Sequence, residues 1–390
     1  MNTRNKFLSA VLWFCSLALV HTYLLYPAVL ATVTRIDSTG RGELPAELPT
    51  VSLVIAAYNE AGVIARKIEN SLTLEYPSEK LEIIVFSDAS SDRTDEIVNS
   101  YAEHGVQLIR VEGRVGKTEC QNVVAEQVDS EIIVFSDANS MYESDAIQEL
   151  VRSFKPGIGC VVGELRYGDA DGVEGESTYW RYERLIKRLE SELGSVVTGN
   201  GSIYAVRNAA YVPLPQNAIS DFAEPLALIE DGYRVAYCPS AVAWEQTGAS
   251  VESELSRRIR IVTRSWNTLS NHTGLLNVLR YPSFGFKLLS HKVFRWLSPV
   301  FLIGVFLTSV LLAVLTLGPL YLALVAFQLG FYCCAVVGAV GDRLGWQTHP
   351  VFHVPYYFVV SNYGMGRAMV NLLNRRNFVT WETEDRSVEE

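Results

Sequence analysis

EIIVFSDA occurs twice in this chain, at residues 82–89 and again at residues 131–138. Each copy is a short apolar run with β-branched and aromatic residues that ends at Ser-Asp, which is typical of a buried strand in a parallel sheet. Because open α/β sheets bind ligands beyond the carboxyl ends of their strands, Asp88 and Asp137 are expected to face one crevice. The alternative is two ordinary core strands that end at turn-forming aspartates.

The stretches around the repeat alternate between strand and helix patterns. Apolar runs predict strands at residues 51–57, 81–87, 106–111 and 132–136, and helical spacing predicts helices at 60–74, 94–101 and 118–127. This βαβαβαβ order implies an α/β fold with a mostly parallel sheet and right-handed crossovers. Further strands are predicted at 159–162, 198–206, 235–237 and 241–244, and further helices at 146–154, 179–193, 221–230 and 252–269.

Composition and charge restrict the class of protein. The chain has 390 residues, of which 49% are hydrophobic, and its formal net charge is −10. Such a negative charge argues against a general nucleic-acid-binding surface, so no nucleic-acid partner is expected. The six cysteines form no CxxC pair, which indicates reduced thiols and a cytosolic middle domain.

Long uncharged runs lie at both ends of the chain. Residues 7–34, 297–317 and 320–340 are each long enough to cross a bilayer, and Gly318-Pro319 forms the turn between the last two. A further run after the hairpin, 351–373, is interrupted by Arg367 and either spans the membrane or lies in its interface. A signal peptide is the alternative for the first run, because Arg4 and Lys6 precede it.

Basic residues next to the membrane segments predict the topology. Arg280, Lys287, Lys292 and Arg295 precede the predicted hairpin, which places the middle domain on the cytoplasmic side of a multi-pass cell-membrane protein in contact with lipid. The expected organisation is an N-terminal transmembrane helix (1–34), a linker (35–49), a catalytic domain (50–270), a juxtamembrane segment (271–296), a transmembrane hairpin (297–341), a third membrane-associated helix (351–374) and a polar tail (375–390).

Several familiar motifs are absent or incomplete. Gly116-Lys117-Thr118 is not a phosphate loop, because Val111 occupies the position of the first glycine. Lys117 still lies at a loop-to-helix junction, where it either meets a phosphate or is solvated. No GxGxxG dinucleotide motif occurs, and His349 and His353 lack a third metal ligand.

Two acidic positions lie at the ends of predicted elements. The oxygen ligands of Asp137-Ala138-Asn139, at a strand end, suit Mg²⁺ or Mn²⁺ bound against a diphosphate, although an ordinary Asx turn explains the same residues. Asp221 lies at the start of a predicted helix, where it is either a general base or a first-turn acid that stabilises the helix.

Arginines cluster on one predicted helix near the membrane. Arg257, Arg260 and Arg264 are spaced i, i+3 and i+7, so they share one face, and Arg258 is adjacent. Guanidinium groups pair bidentately with phosphate, so a bound diphosphate is the more specific interpretation of this face. Lipid headgroups are the alternative partner.

Taken together in their order along the chain, these stretches resemble membrane-bound family 2 glycosyltransferases with a GT-A nucleotide-diphospho-sugar transferase fold. The resemblance covers about 210 residues and rests on VSLVIAAYNE (51–60), IIVFSDASSD (83–92), GRVGK (113–117), VFSDAN (134–139), TGNGSIYAVR (198–207), ISDFAEPLALIEDGYRVAYCP (219–239) and SRRIRIVTRSW (256–266).

The resemblance implies roles for individual residues. Those implied to border the nucleotide or approach it are Ala57, Tyr58, Glu60 and Lys117. Asp88 is implied to hydrogen-bond the base, Asp137 to be the first acid of a DxD motif with Asn139 in the place of the second, and Asp221 to be the catalytic base. The residues implied at the diphosphate or acceptor, in and after a QxxRW-like segment, are Arg257, Arg258, Arg260, Arg264 and Trp266.

This chain departs from the family pattern at four positions. Asn139 replaces an aspartate, and Ser220 stands where a glutamate usually precedes the base. In the QxxRW-like segment Arg257 replaces glutamine and Ile261 replaces tryptophan. The missing tryptophan favours addition of one sugar to a lipid-linked acceptor over processive synthesis of a polymer.

The function implied by the resemblance is transfer of a sugar, with inversion, from a nucleotide-diphospho-sugar to a lipid-linked or saccharide acceptor. A UDP-sugar is the expected donor, and Mg²⁺ or Mn²⁺ is the expected cofactor. One alternative is an inactive GT-A-fold scaffold subunit of a polysaccharide or glycolipid assembly complex, which Asn139 and Ile261 suggest. Another is a membrane nucleotidyltransferase, against which the single base Asp221 argues.

Overall fold

The chain divides into two compact units. The computed structural model describes residues 2–34, 43–168, 178–246, 251–346, 349–376 and 378–380. The sheet unit contains the described residues of Leu30–Gly248, Arg264–Gly285 and Asn377–Glu390. The helical unit contains those of Met1–Val29, Ala249–Thr263 and Phe286–Arg376. Part of the predicted linker, residues 35–42, lies outside the described residues, as do residues 169–177 and most of the tail.

The sheet unit is built on one eight-stranded mixed sheet. Its strand order is β3-β2-β1-β4-β7-β6-β8-β5. The first four strands in this order are parallel, β7 is antiparallel to both of its neighbours, and β6 and β8 are parallel. The strands are β1 (Val51–Ala57), β2 (Leu81–Asp88), β3 (Val106–Val111), β4 (Ile132–Asp137), β5 (Met141–Tyr142), β6 (Ile158–Tyr167), β7 (Ile203–Arg207) and β8 (Arg234–Glu245).

The predicted parallel half of the sheet is confirmed almost residue for residue. All seven residues of β1 are buried, as expected for a central strand covered on both faces. The prediction was wrong in detail beyond β4. The two short strands expected at 235–237 and 241–244 are one long strand, β8, whose pairing with β6 shifts register at Gly163/Glu164. The two-residue strand β5 was not predicted.

Helices cover both faces of this sheet. Alternate residues of one strand point to opposite cores: Leu53 and Ile55 lie in one cluster, whereas Val54 and Ala56 lie in the other. Part of the predicted linker belongs to the first cluster, because Leu44 and Leu48 pack against it. The helices are α2 (Ile64–Leu72), α3 (Thr94–Asn99), α4 (Lys117–Ala125), α5 (Ala146–Arg152), α6 (Thr178–Glu192), α7 (Ser220–Glu230), α8 (Val251–Asn271, shared with the helical unit) and α9 (Pro282–Lys287).

The helical unit contains the apolar ends of the chain. Three of its helices are long and apolar enough to cross a membrane: α1 (Thr3–Val33, the end of which reaches the sheet unit), α11 (Ser298–Thr316) and α12 (Pro319–Arg343). The short α10 (Phe294–Trp296) precedes α11. The predicted third membrane-associated segment forms a helix, α13 (Pro350–Leu373), which is not among the three candidate spans in the described part of the chain. The tight turn at Gly318-Pro319 is confirmed.

Candidate active site

The repeated octapeptide delivers its two aspartates to the same edge of the sheet. Strand β1 lies between β2 and β4, and the parallel register aligns Ala57 with Ser87 on one side and Ala56 with Asp137 on the other. Asp88 is the last residue of β2 and Asp137 is the last residue of β4. The expected crevice at the carboxyl ends of these strands therefore has one aspartate on each side of β1.

Asp88 is completely buried and is used by the loop that follows β3. Its side chain is 0% exposed. One oxygen accepts the backbone N–H of Val115 at 2.7 Å, and the other accepts Gly116 N–H at 3.0 Å and Arg114 Nη1 at 2.6 Å. A carboxylate with three donors orders the backbone around it. Asp88 thus fixes the loop 113–117 at the sheet edge, and its predicted contact with a nucleobase stays a prediction.

The loops after β1 and β2 are joined beside Asp88. Arg114 lies over the ring of Tyr58, with 3.0 Å between its Cζ and the ring centroid. Asn59, Ala89 and Arg114 all have positive φ, and such strained residues cluster at ligand sites. Three backbone N–H groups after β1 donate to side chains after β2: Asn59 to Ser90 Oγ (3.1 Å), Glu60 to Thr94 Oγ1 (2.8 Å) and Ala61 to Asp92 Oδ2 (3.0 Å).

Asp137 has a more open environment than Asp88. Its side chain is 33% exposed and its Oδ1 accepts a hydrogen bond from Nζ of Lys117, the first residue of α4. Lys117 also donates to the carbonyl oxygen of Gly201 at 3.2 Å. A Cβ atom on Gly201 would lie 3.0 Å from Lys117 Nζ and 3.5 Å from Asp137 Oδ2. The glycine therefore leaves the space beside this ion pair open.

A buried polar cluster supports the turn that contains Asp137 and Asn139. The turn closes with Ser140 N–H donating to the Asp137 carbonyl at 3.2 Å. Lys67 Nζ donates to the Ser140 carbonyl at 2.5 Å, and the Ser140 hydroxyl donates to Glu245 at 2.5 Å. Burial lowers the pKa of Lys67 to about 7, against the opposing charges of Asp137 and Glu245. These buried contacts fix the position of the turn.

The residues of this turn fit a divalent cation that is held jointly with a substrate. Asp137 offers carboxylate oxygens and Asn139 an amide oxygen, which are the hard ligands that Mg²⁺ and Mn²⁺ prefer. Within the described ranges no three His, Cys, Asp or Glu side chains gather into a protein cage. A site with one or two protein ligands matches cations that take most of their remaining ligands from water and phosphates.

Asp221 is on the opposite side of the same glycine-containing loop. It lies in the first turn of α7, and its carbonyl oxygen accepts the N–H of Gly199 at 2.7 Å. Lys187 of α6 donates to the carbonyl of Gly199 at 3.3 Å. Burial lowers the pKa of Lys187, and nearby carboxylates, including Asp221, oppose that shift. Lys187 and Asp221 thus both bond to the backbone of Gly199.

A second acid follows Asp221 by three residues but is fully buried. Glu224 is 0% exposed, and burial raises its pKa well above the ordinary 4.5. Burial thus favours the neutral form of this carboxyl. Of the two acids in this turn of α7, the half-buried Asp221 is the more accessible.

The predicted arginine face is distributed over both units. Arg257, Arg258 and Arg260 lie in the part of α8 that belongs to the helical unit. Arg258 donates to the hydroxyl groups of Ser361 and, at 2.8 Å, of Tyr357, both on α13. Arg264 and the half-buried Trp266 belong to the sheet unit, where Arg264 is buried. Contact of these residues with a diphosphate or acceptor stays a prediction.

Sequence reasoning missed three residues that the fold brings to the site. Lys187 is one of them, and its signal was the spacing of charged residues 183, 187 and 190 on the same face as the buried Ile186. Lys67 and Glu245 gave no signal, because they are far apart in sequence and meet only across the buried turn.

Comparison with known proteins finds similarity to glycosyltransferases. Residues 52–211 match the family described as glycosyl transferase family 2. Poly-β-1,6-N-acetyl-D-glucosamine synthase of Staphylococcus aureus (strain MSSA476) is 28% identical over 224 residues, which are 55% of this chain and 54% of that protein. The enzyme of the same name from Staphylococcus epidermidis is 25% identical over 249 residues, 59% and 60% of the two chains. The chain thus spans little more than half the length of these curated relatives.

The fold is also similar to a solved structure. Mannosyltransferase PcManGT from Pyrobaculum calidifontis, in complex with GDP-Man and Mn²⁺, superposes with a TM-score of 0.70 at 20% identity, covering 94% of this chain and 99% of that one. This likeness supports the GT-A fold expected from the sequence. Residues 52–211 of this chain are therefore similar to glycosyl transferase family 2.

Proposed function

We propose that this protein transfers a sugar from a nucleotide-diphospho-sugar to a hydroxyl group of a lipid-linked or saccharide acceptor, with inversion at the anomeric carbon. One observation carries the proposal. A single glycine-containing loop, residues 199–201, contacts Lys117 and approaches Asp137 at one end and contacts Asp221 at the other. Groups suited to a diphosphate therefore lie next to a carboxylate suited to be a base.

The donor is proposed to bind beside the joined loops after β1 and β2. Ala57, Tyr58 and Glu60 border this side of the crevice, and Asp88 fixes the loop that carries Arg114. A UDP-sugar is the proposed donor class. The names of the curated relatives support an N-acetylglucosamine nucleotide as the first candidate to test.

Negative charge on the leaving group is proposed to be stabilised by Lys117 and by a cation at Asp137 and Asn139. Asp137 and Asn139 would hold Mg²⁺ or Mn²⁺, whose chemistry is to neutralise charge on the departing diphosphate. Lys117 adds a cation at the first position of α4, where backbone N–H groups also favour an anion. Its present partner, Asp137, keeps it at the site.

Asp221 is the proposed general base. Its carboxylate takes the proton from the acceptor hydroxyl, and the oxygen then attacks the anomeric carbon from the side opposite the diphosphate. A new glycosidic bond forms as the bond to the diphosphate oxygen breaks, and the electron pair leaves with the nucleotide. One displacement inverts the configuration.

The reaction is proposed to take place at the cytoplasmic face of the cell membrane, in a multi-pass protein that is anchored through α1, α11 and α12. Their apolar length supports this location. Arg257, Arg258, Arg260 and Trp266 stay candidates for contact with the diphosphate, the acceptor or lipid headgroups.

The test is transfer by membranes that contain the protein, incubated with labelled nucleotide sugars that include UDP-N-acetylglucosamine and GDP-mannose. Asp221→Asn is expected to lower transfer by about a hundredfold or more, because the general base is lost. The matched control is Asp231→Asn, an exposed aspartate just after the same helix, which should retain wild-type transfer. Full activity of folded Asp221→Asn would refute the base assignment.

Calorimetry with UDP-, GDP- and TDP-sugars plus Mn²⁺ tests the alternative of an inactive scaffold. Asn139 in place of an acid and Ile261 in place of tryptophan favour that alternative. Binding of one donor class supports the enzyme, whereas binding of none, together with no labelled product, supports the scaffold.

A further inference from the structure

Arg264 is a buried guanidinium that joins two loops of the site. It is 6% exposed on α8, within the sheet unit. Its Nη2 donates to the carbonyl oxygen of Ala218 and, at 3.3 Å, to the hydroxyl oxygen of Thr118. The Thr118 hydroxyl itself donates to the Ala218 carbonyl at 2.9 Å. The three groups form a closed hydrogen-bonded triangle.

Two corners of this triangle lie close in sequence to the proposed functional residues. Thr118 follows Lys117 in the first turn of α4, and it is 1% exposed. Ala218 is three residues before Asp221, and it is 2% exposed. One cation on a third element therefore fixes the start of α4 relative to the start of α7.

Other bonds hold the same junction in place. Thr268, one turn after Arg264 on α8, accepts the N–H of Ile219 at 3.1 Å. Gln216 donates to the carbonyl of Val115 at 2.8 Å, and Asn122 donates to the Leu214 carbonyl at 2.8 Å. The loop 214–219 is thus bound to α4 and to α8, and Nη2 of Arg264 on α8 bonds both this loop and α4.

We propose that Arg264 is a positioning residue that sets the separation between Lys117 at the diphosphate and Asp221 at the acceptor. The planar guanidinium suits this role because it presents its donors in a fixed geometry, whereas a lysine ammonium is a point charge on a flexible stem. The inference rests on the proposed function, and it assigns Arg264 a role through Thr118 and Ala218 in place of direct contact with the diphosphate.

The expected signature is a loss of turnover without a loss of donor binding. A displacement of about 1 Å in catalytic geometry lowers rates by about a hundredfold. Arg264→Lys is therefore expected to lower kcat about tenfold to a hundredfold, with the dissociation constant of the nucleotide sugar within about threefold of wild type. Equal losses in kcat and donor affinity would overturn the proposal and favour a direct diphosphate contact.

A double-mutant cycle separates positioning from general stability. Thr118→Val removes the hydroxyl with little change of shape, and its effect on kcat should be non-additive with that of Arg264→Lys, because both break one triangle. Thr263→Val is the matched control, because it removes a buried hydroxyl on the same helix that donates to the Ile259 carbonyl at 2.7 Å. Additive effects, or unchanged kcat in folded Arg264→Lys, would overturn the proposal.

Two further comparisons keep the test decisive. If Arg264→Lys does not fold, the two Thr118 variants provide the test. Thr118→Ser should retain the wild-type kcat, and Thr118→Val should lower kcat at unchanged donor affinity. Any other pattern overturns the proposal. The Asp221→Asn variant separates this inference from the proposed function. Loss of activity in Asp221→Asn with full activity in Arg264→Lys refutes only the positioning role.

Discussion

Asp88 and Asp137 end identical octapeptides at the same sheet edge, yet their surroundings differ. Asp88 is 0% exposed and accepts three hydrogen bonds from the loop 113–117. Asp137 is 33% exposed and is paired with Lys117, and the open space beside Gly201 adjoins it. The first carboxylate organises the protein, whereas the second has oxygen capacity left for a ligand.

The difference comes from what packs against each strand end. Strand β2 is followed in the sheet by β3, whose loop returns over Asp88 and delivers backbone N–H groups to it. Strand β4 is followed by the antiparallel β7, which is preceded by the glycine-containing loop 199–201. Identical local sequence thus acquires different chemistry through its spatial neighbours.

The largest expected effect is on catalysis at the open aspartate. Asp137→Asn should lower transfer by about a hundredfold to a thousandfold, because the site loses the charge that pairs with Lys117 and that is proposed to hold the cation. The measurement is transfer of labelled sugar at saturating Mn²⁺. Asp129→Asn, an exposed aspartate before the same strand, is the control and should stay within about twofold of wild type. Comparable activity of the two variants would refute the assignment of Asp137.

The next effect is on stability at the buried aspartate. Asp88→Asn replaces an acceptor oxygen by a donor NH₂ group that faces Arg114 or a backbone N–H, and it removes the partner of a buried charge pair. We expect a loss of about 3 kcal/mol, which corresponds to a decrease of about 6–12 °C in the midpoint of thermal unfolding. Asp137→Asn should change the midpoint much less. A smaller decrease for Asp88→Asn than for Asp137→Asn would contradict the comparison.

The smallest expected effect distinguishes two glycines of the loop that Asp88 holds. Gly113 and Gly116 have φ of +93° and +94°, so alanine is strained at both. A Cβ on Gly116 would lie 2.6 Å from the carbonyl oxygen of Val379, whereas the nearest atom to a Cβ on Gly113 is Val115 Cγ1 at 3.8 Å. Gly116→Ala should therefore cost about 1–2 kcal/mol more than Gly113→Ala.

The measurement for this pair is the midpoint of thermal unfolding, followed by titration with the nucleotide sugar. Gly113→Ala introduces the backbone strain alone. The additional decrease in the unfolding midpoint of Gly116→Ala therefore reports the contact with Val379. Equal midpoints for the two variants would show that this contact adds nothing to the stability of the loop.

The parallel half of the sheet was predictable because its strands are continuous apolar runs with clear ends. The prediction for β1 matched its observed bounds, Val51–Ala57, and that for β3 matched Val106–Val111. The pairing of β4 with β7, by contrast, is antiparallel and depends on a chain reversal about 70 residues long. Local pattern carries little information about such distant pairing, which explains the errors beyond β4.

The candidate site was predictable where a strand end or helix start places a residue. Asp88, Asp137 and Asp221 were found in this way. Helical spacing also placed Arg257, Arg260 and Arg264 on one helix, but it could not reveal that Arg264 is buried against Thr118 and Ala218. Burial depends on elements that are distant in sequence, so i+3 and i+7 spacing alone does not define a ligand-binding face.

The sequence by itself determined the class of fold, the strand ends that carry carboxylates and the apolar helices of membrane length, because these follow from local periodicity and composition. Only the tertiary structure decided the role of each repeated aspartate. Burial and the number of donors depend on residues that are distant in sequence. Asp88 lies beneath a returning loop, and Asp137 lies beside Gly201, which leaves space for a ligand. The same eight residues therefore serve structure at one strand end and, as proposed, chemistry at the other.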